Sequence, residues 1–132
     1  MVEAQPLPSG VLRFPEGLPG FENLTQFVLL QDEDLVPLAF LASLVEPRVC
    51  LPVLPVRRLD TDYDLRLDED DRRVLHLTGE GDLLCLAIVT LGDGAAPPTA
   101  NLLAPIVVNL SNWTAKQVIQ IHSSYSPALE IA

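Results

Sequence analysis

The chain is 132 residues long, enough for one domain with a hydrophobic core that needs no cross-links. Apolar residues make up 48% and aromatics 5%, which argues against disorder and calls for a core of Leu, Val, Ile and Ala; 12 prolines and 7 glycines argue against a bundle of long helices. The formal charge of -10 argues against nucleic acid and anionic membranes as direct ligands, since Lys and Arg hold both, and it suits solubility or the approach of a basic protein.

Residues 1–9 form a loose, Pro-containing lead-in without the basic and apolar regions of a signal peptide, so a cytoplasmic protein is expected. Three N-x-S/T matches, at Asn23, Asn109 and Asn112, are then chance matches. Val11 to Phe14 is a first strand. In FPEGLPGFE, Pro19 and Gly20 occupy the central positions of a type II turn, where Gly supplies the positive φ. Gln26 to Leu30 is a second strand and Leu38 to Val45 a third. Val49 to Leu54 is a fourth, which Pro52 demotes to an edge or a bulge.

The segment Asp68 to Leu75 predicts the one good helix: Asp68 as N-cap, DEDD at the positive end of the dipole, Arg72 and Arg73 at the other. Gly79, Glu80 and Gly81 turn the chain into a strand from Leu83 to Leu91, GDGAAPPT ends it, and Ala100 to Leu110 and Ala115 to Ile121 complete the set. Short strands joined by Gly/Pro turns predict a mostly β single domain over 1–132, a sandwich or small antiparallel barrel with one or two short helices. LLCLAIVTL and LLAPIVVNL do not alternate apolar with polar as a half-wet strand should. Either the helix and loops cover their outer faces, or apolar surface is left for a partner.

Motifs for catalysis and metals are weak. Asp60, Asp62, Asp64, Asp68 and Asp71 fall at positions 1, 3, 5, 9 and 12 of a calcium loop, but Leu65 stands where its sharp turn needs Gly. His76, His122, Cys50 and Cys85 show no zinc-ligand spacing, and both cysteines read as buried thiols in apolar stretches. Ser43, Ser123 and Ser124 lie in no nucleophile elbow, and the GEG and GDG turns are too acidic to cradle phosphate. The expectation is no enzyme, no cofactor and no metal. A calcium- or metal-dependent ligand-binding β module is the alternative, and a small hydrolase would need a nucleophile beside a histidine.

Taken in order, FPEGLPGFENLTQFVLL, LASLVEP, Tyr63 before an acidic helix start, NLLAPIVVN at Asn101 and KQVI leading to Tyr125 resemble the FliW family of bacterial flagellar assembly factors. The resemblance runs from Phe14 to Tyr125. It departs at Ala42, where the family has Gln, at Leu51, where it favours Phe, and after Tyr125, where Ser126, Pro127 and Ala128 stand in place of a basic residue. It implies a small antiparallel β barrel that is a non-enzymatic partner switch, monomeric on its own: it binds newly made flagellin, and antagonises CsrA, the RNA-binding repressor of flagellin translation. In that setting Tyr63, Gln117 and Tyr125 are candidate partner contacts, Tyr being enriched at hot spots. Glu69, Asp70 and Asp71 are candidates for an acidic face that repels RNA. Gly17, Pro19, Gly20 and Pro105 hold turns or bulges, Phe14, Phe21 and Phe27 belong to the core, and Asn101 and Asn109 satisfy loop backbone groups.

Overall fold

The structure, a computed structural model, describes residues 10–79 and 81–131; the lead-in expected for 1–9 and Glu80 of the GEG turn lie outside them. Its elements follow from short apolar runs and their punctuation. Strands β1 (Val11–Arg13) and β2 (Gln26–Gln31) are joined through the FPEGLPGFE segment. There Gly20 has φ 86 and the Phe21 N–H donates to the Leu18 carbonyl at 2.7 Å, as the type II turn requires. Gly17 has φ 66, and a Cβ on it would lie 2.6 Å from the backbone of Phe21 and Glu22, so only Gly fits. The turn carries Phe21 outward: it is 38% exposed, against the core placement expected for it, whereas Phe14 and Phe27 are fully buried and meet edge to face at 5.1 Å.

Strands β3 (Ala39–Ser43), β4 (Cys50–Pro55), β5 (Leu83–Thr90), β6 (Thr99–Asn109), β7 (Thr114–Gln117) and β8 (Leu129–Glu130) follow, with one α-helix, α1 (Glu69–Val74), and two 3-10 turns at Glu33–Leu35 and Val56–Arg58. The order β5-β4-β3-β2-β1-β7-β6, with β6 pairing back onto β5, closes a seven-stranded barrel, and β8 adds to β6 outside the ring. All junctions are antiparallel except β1–β7, which is parallel and rests on the pair Arg13 and Thr114. Strand β4 is not an edge, because it pairs with both β3 and β5. Pro52 is tolerated because the β5 pairing begins only at Val53.

The barrel is filled by Leu12, Phe14, Phe27, Leu41, Val53, Leu86 and Ile106 among others. Each buried side chain of this size contributes about 1.5–3 kcal/mol. The non-alternating strands are explained by internal cover. Outward Ala87, Val89, Ala100 and Leu102 pack with Val56 and Tyr63, and outward Val107 packs with Leu75 and Val118. Cys85 belongs to that covered side and burial pushes its thiol up to about 12, but Cys50 is exposed, contrary to expectation. Leu51 faces the barrel interior, so the period-2 pleat turns Cys50 out.

Candidate partner-binding surface

The NLLAP sequence makes a wide excursion in β6. The register runs from Leu86 opposite Ile106 to Ile88 opposite Asn101, so residues 102–105 of β6 oppose Ala87 alone. Such an excursion strands backbone groups, and buried ones must find partners. Asn101 Oδ1 accepts from the Leu103 and Ala104 N–H groups at 3.1 and 3.0 Å. The Leu102 N–H donates to the Ser126 carbonyl at 2.8 Å, and Pro105 has no N–H to satisfy. On the acceptor side, the Leu102 carbonyl takes the Tyr63 hydroxyl, Leu103 the Gln120 N–H at 2.7 Å, Ala104 the Gln117 amide at 3.0 Å and Pro105 the Val118 N–H at 2.9 Å. Every backbone group of the excursion is therefore paired. Tyr63, Asn101, Pro105 and Gln117 come together here.

The same residues clamp the segment from Tyr63 to Arg66 against the barrel. Tyr63 stacks on Tyr125 with ring centres 4.2 Å apart, and Tyr125 Oη accepts from the Asp64 N–H at 2.7 Å. Gln120, fully buried, pairs both ends of its amide with the Arg66 backbone at 2.8 and 2.9 Å. Burial first, then the neighbouring Cys85, Tyr125 and Asp60, raises the Tyr63 pKa well above that of an ordinary phenol, so it stays a donor. Tyr63 is buried and Tyr125 and Gln117 half-buried, so the hydroxyl and amide groups expected to face a partner are committed within the chain. Sequence reasoning missed Gln120. Its signal was a polar residue between Ile119 and Ile121, two positions after the apolar Val118.

Helix α1 begins with a reciprocal cap: Asp68 accepts from the Asp71 N–H at 2.7 Å and Asp71 from the Asp68 N–H at 3.1 Å. Asp71 also accepts from Lys116 Nζ at 2.7 Å and is only 7% exposed, so it is a structural carboxylate and not part of an open acidic face. Glu69 and Asp70 remain exposed. Arg73 and then Lys116 hold the Asp70 carboxyl below its ordinary value. For Lys116, burial opposes the charge, but the bond to Asp71, with Asp70 and Glu16, outweighs it and raises the pKa. Glu16, next to the Gly17 turn, lies 3.7 Å from Lys116 Nζ, which ties the GLPG segment to this end of the barrel. At the far end of α1 the chain leaves through His76 at φ 51, with N–H bonds from His76 to the Arg73 carbonyl and from Leu77 to that of Arg72. The Leu75 carbonyl accepts from the Asn109 amide at 2.9 Å and from that of Asn112 at 3.3 Å.

The aspartates that mimic a calcium loop do other work. Asp60 caps the Asp62 N–H, Asp64 pairs with Arg66, and Asp68 and Asp71 cap the helix. Among the described residues no group of three or more His, Cys, Asp or Glu is placed to hold a metal, and no helix is long and apolar enough to cross a membrane. An open cleft is lined by Asp64, Arg66, His122, Ser123, Ser124 and Tyr125, but the Ser123 hydroxyl donates to the Gln120 carbonyl and not to a histidine.

A model of the FliW protein family matches residues 2–131. The flagellar assembly factor FliW of Pseudothermotoga lettingae is 42% identical over 117 residues, which cover 88% of this chain and 74% of the relative. That of Carboxydothermus hydrogenoformans is 38% identical over 111 residues, covering 84% and 72%. A crystal structure of the flagellar assembly factor FliW matches the barrel with a TM-score of 0.83 at 33% identity, covering 96% of this chain and 89% of that one. Sequence match and barrel agree over nearly the whole length, and the chain belongs to the FliW family.

Proposed function

We propose that this chain is a non-enzymatic flagellar assembly factor of the cytoplasm, which binds flagellin and a CsrA-like RNA-binding regulator in competition and so couples flagellin synthesis to its use. The observation that carries this reading is the family match over residues 2–131. The charge of -10 supports it: an acidic protein docked beside an RNA-binding surface repels phosphate without entering the RNA site. Exposed Glu69 and Asp70 are the carboxylates of α1 that remain for such a field. It acts without cofactor and, unbound, as a monomer.

Coupling between two partners is reciprocal: if flagellin weakens regulator binding about tenfold, the regulator weakens flagellin binding equally, about 1.4 kcal/mol. The test is titration of flagellin into a preformed complex of this chain with the regulator. Release of the regulator is expected. A stable ternary complex with neither affinity changed refutes the switch.

A further inference from the structure

The described residues cover one side of the barrel and leave the other bare. Helix α1 lies against β7, and the Val56–Arg58 turn against β5. On β1 to β4 the outward positions form three cross-strand rows: exposed Arg13 and Gln26 lie at one end, and two apolar rows follow. Val11, Val28, Ala42 and Cys50 are in register, and so are Leu30, Phe40 and Pro52. No charged residue stands within the two apolar rows. Val28, Phe40, Ala42 and Pro52 join none of the hydrophobic clusters of the described residues, and Val11 and Leu30 are 40% and 52% exposed. The face ends at the 3-10 turn after β2, where Leu35 and Val36 are about half exposed and Asp32, Glu33 and Asp34 are exposed with no ion pair among the described residues.

We propose that the outer face of β1–β4 is a docking surface for one amphipathic helix of a partner protein, its apolar stripe over the two apolar rows and its Lys- or Arg-bearing end over Asp32, Glu33 and Asp34. A helix fits better than a strand, because β1 to β4 are each paired on both sides in the closed ring and offer side chains, not a free edge. The width fits too: four strands span about 14 Å between outer axes, and a helix with its side chains is about 10–12 Å across. Charge selects the polarity of the partner. Three carboxylates with no ion pair among the described residues favour a cationic segment at this end, while a second copy of this chain would bring its own charge of -10 to the contact.

The inference rests on the protein-binding role proposed above, and its probes are purified flagellin and the CsrA-like protein of the same cell. Leu30→Glu is expected to weaken binding of one of them at least about tenfold with the melting temperature unchanged, since a half-exposed side chain carries little of the fold. Ile121→Glu, at a site 84% exposed outside this face, is expected to change neither. Neutralising the acidic tip (Asp32→Asn, Glu33→Gln, Asp34→Asn) is expected to weaken the same complex and flatten its salt dependence, while Asn keeps the cap at position 32. If both probes bind Leu30→Glu as tightly as wild type, or only Ile121→Glu loses binding, the docking face is wrong and the functional reading stands. If the wild-type chain binds neither probe, both fail. Unchanged affinity on neutralising the tip overturns the cationic end. Self-association that Leu30→Glu abolishes assigns the face to a second copy. Equal losses of melting temperature for Leu30→Glu and for deletion of residues 1–9 assign it to the chain's own start. Either of these last two results overturns the helix proposal.

Discussion

Removing one oxygen atom from either of two stacked tyrosines should have unequal consequences. Tyr63→Phe keeps the ring on Tyr125 but takes the donor from the Leu102 carbonyl, in a site where Tyr63 is 8% and Leu102 4% exposed. A buried acceptor left unpaired costs about 1–3 kcal/mol. Tyr125→Phe instead frees the N–H of Asp64, which is exposed and can turn to water, so the loss is expected below about 1 kcal/mol. In urea titrations followed by Trp113 fluorescence, Tyr63→Phe should lower the midpoint by about 1 M with the slope unchanged, and Tyr125→Phe by less than half of that. Equal losses for the two variants would refute the argument that the excursion in β6 depends on a complete set of hydrogen-bond partners.

Asp71→Asn should cost about 1–2 kcal/mol in the same titrations, through the bonds its carboxylate accepts from the Asp68 N–H and from Lys116, whereas Glu69→Gln and Asp70→Asn together should leave the fold nearly unchanged. His76→Gly should raise the melting temperature by about 2–5 °C, because Gly relieves a left-handed residue at the end of α1. Lys116 has a raised pKa in the fold, so its contribution is full below 10.5 and is lost as pH rises through the higher folded value. Asp70 has a lowered pKa, so its contribution is present above 3.8 and is lost as pH falls through the lower folded value. Lys116→Met should therefore flatten the alkaline limb of a plot of urea midpoint against pH and leave most of the Asp70 effect, which Arg73 sets first, and an unchanged alkaline limb would show the cluster to be idle.

Much of the barrel was legible because local chemistry and tertiary packing agree. Pro19-Gly20 could form little but its turn, and Asp68 with the acids after it could only start a helix. What escaped was decided by which face a residue turns to. Glu69, Asp70 and Asp71 are equivalent as composition, yet the third helical position brings Asp71 back onto the cap and over Lys116. The Asp-x-x-Asp spacing carried that signal. Cys50 lies in an apolar run and Phe21 is itself apolar, but both point outward once the pleat and the turn are set. Strand β8 has two residues and no alternation to detect, so only its pairing with Thr99 and Ala100 defines it. Tyr63, Gln117 and Tyr125 were singled out as candidate partner contacts, and in the structure their hydroxyl and amide groups bond within the chain. A hydroxyl or amide beside a buried strand excursion is drawn to the backbone groups of that strand, which the sequence does not display.

The parallel junction of β1 with β7 sets the order in which this domain can mature on the ribosome. Arg13 and Thr114 are about 100 residues apart in the chain, and contacts that distant form late because the entropy of closing so long a loop must be met first. The amide of Leu102 waits longer still, for the carbonyl of Ser126. A chain that has not yet presented β7 can pair β1 to β6 only as an open sheet, because the ring closes through β7. Chains cut before Thr114 should show no cooperative urea transition, because the β1–β7 junction cannot form.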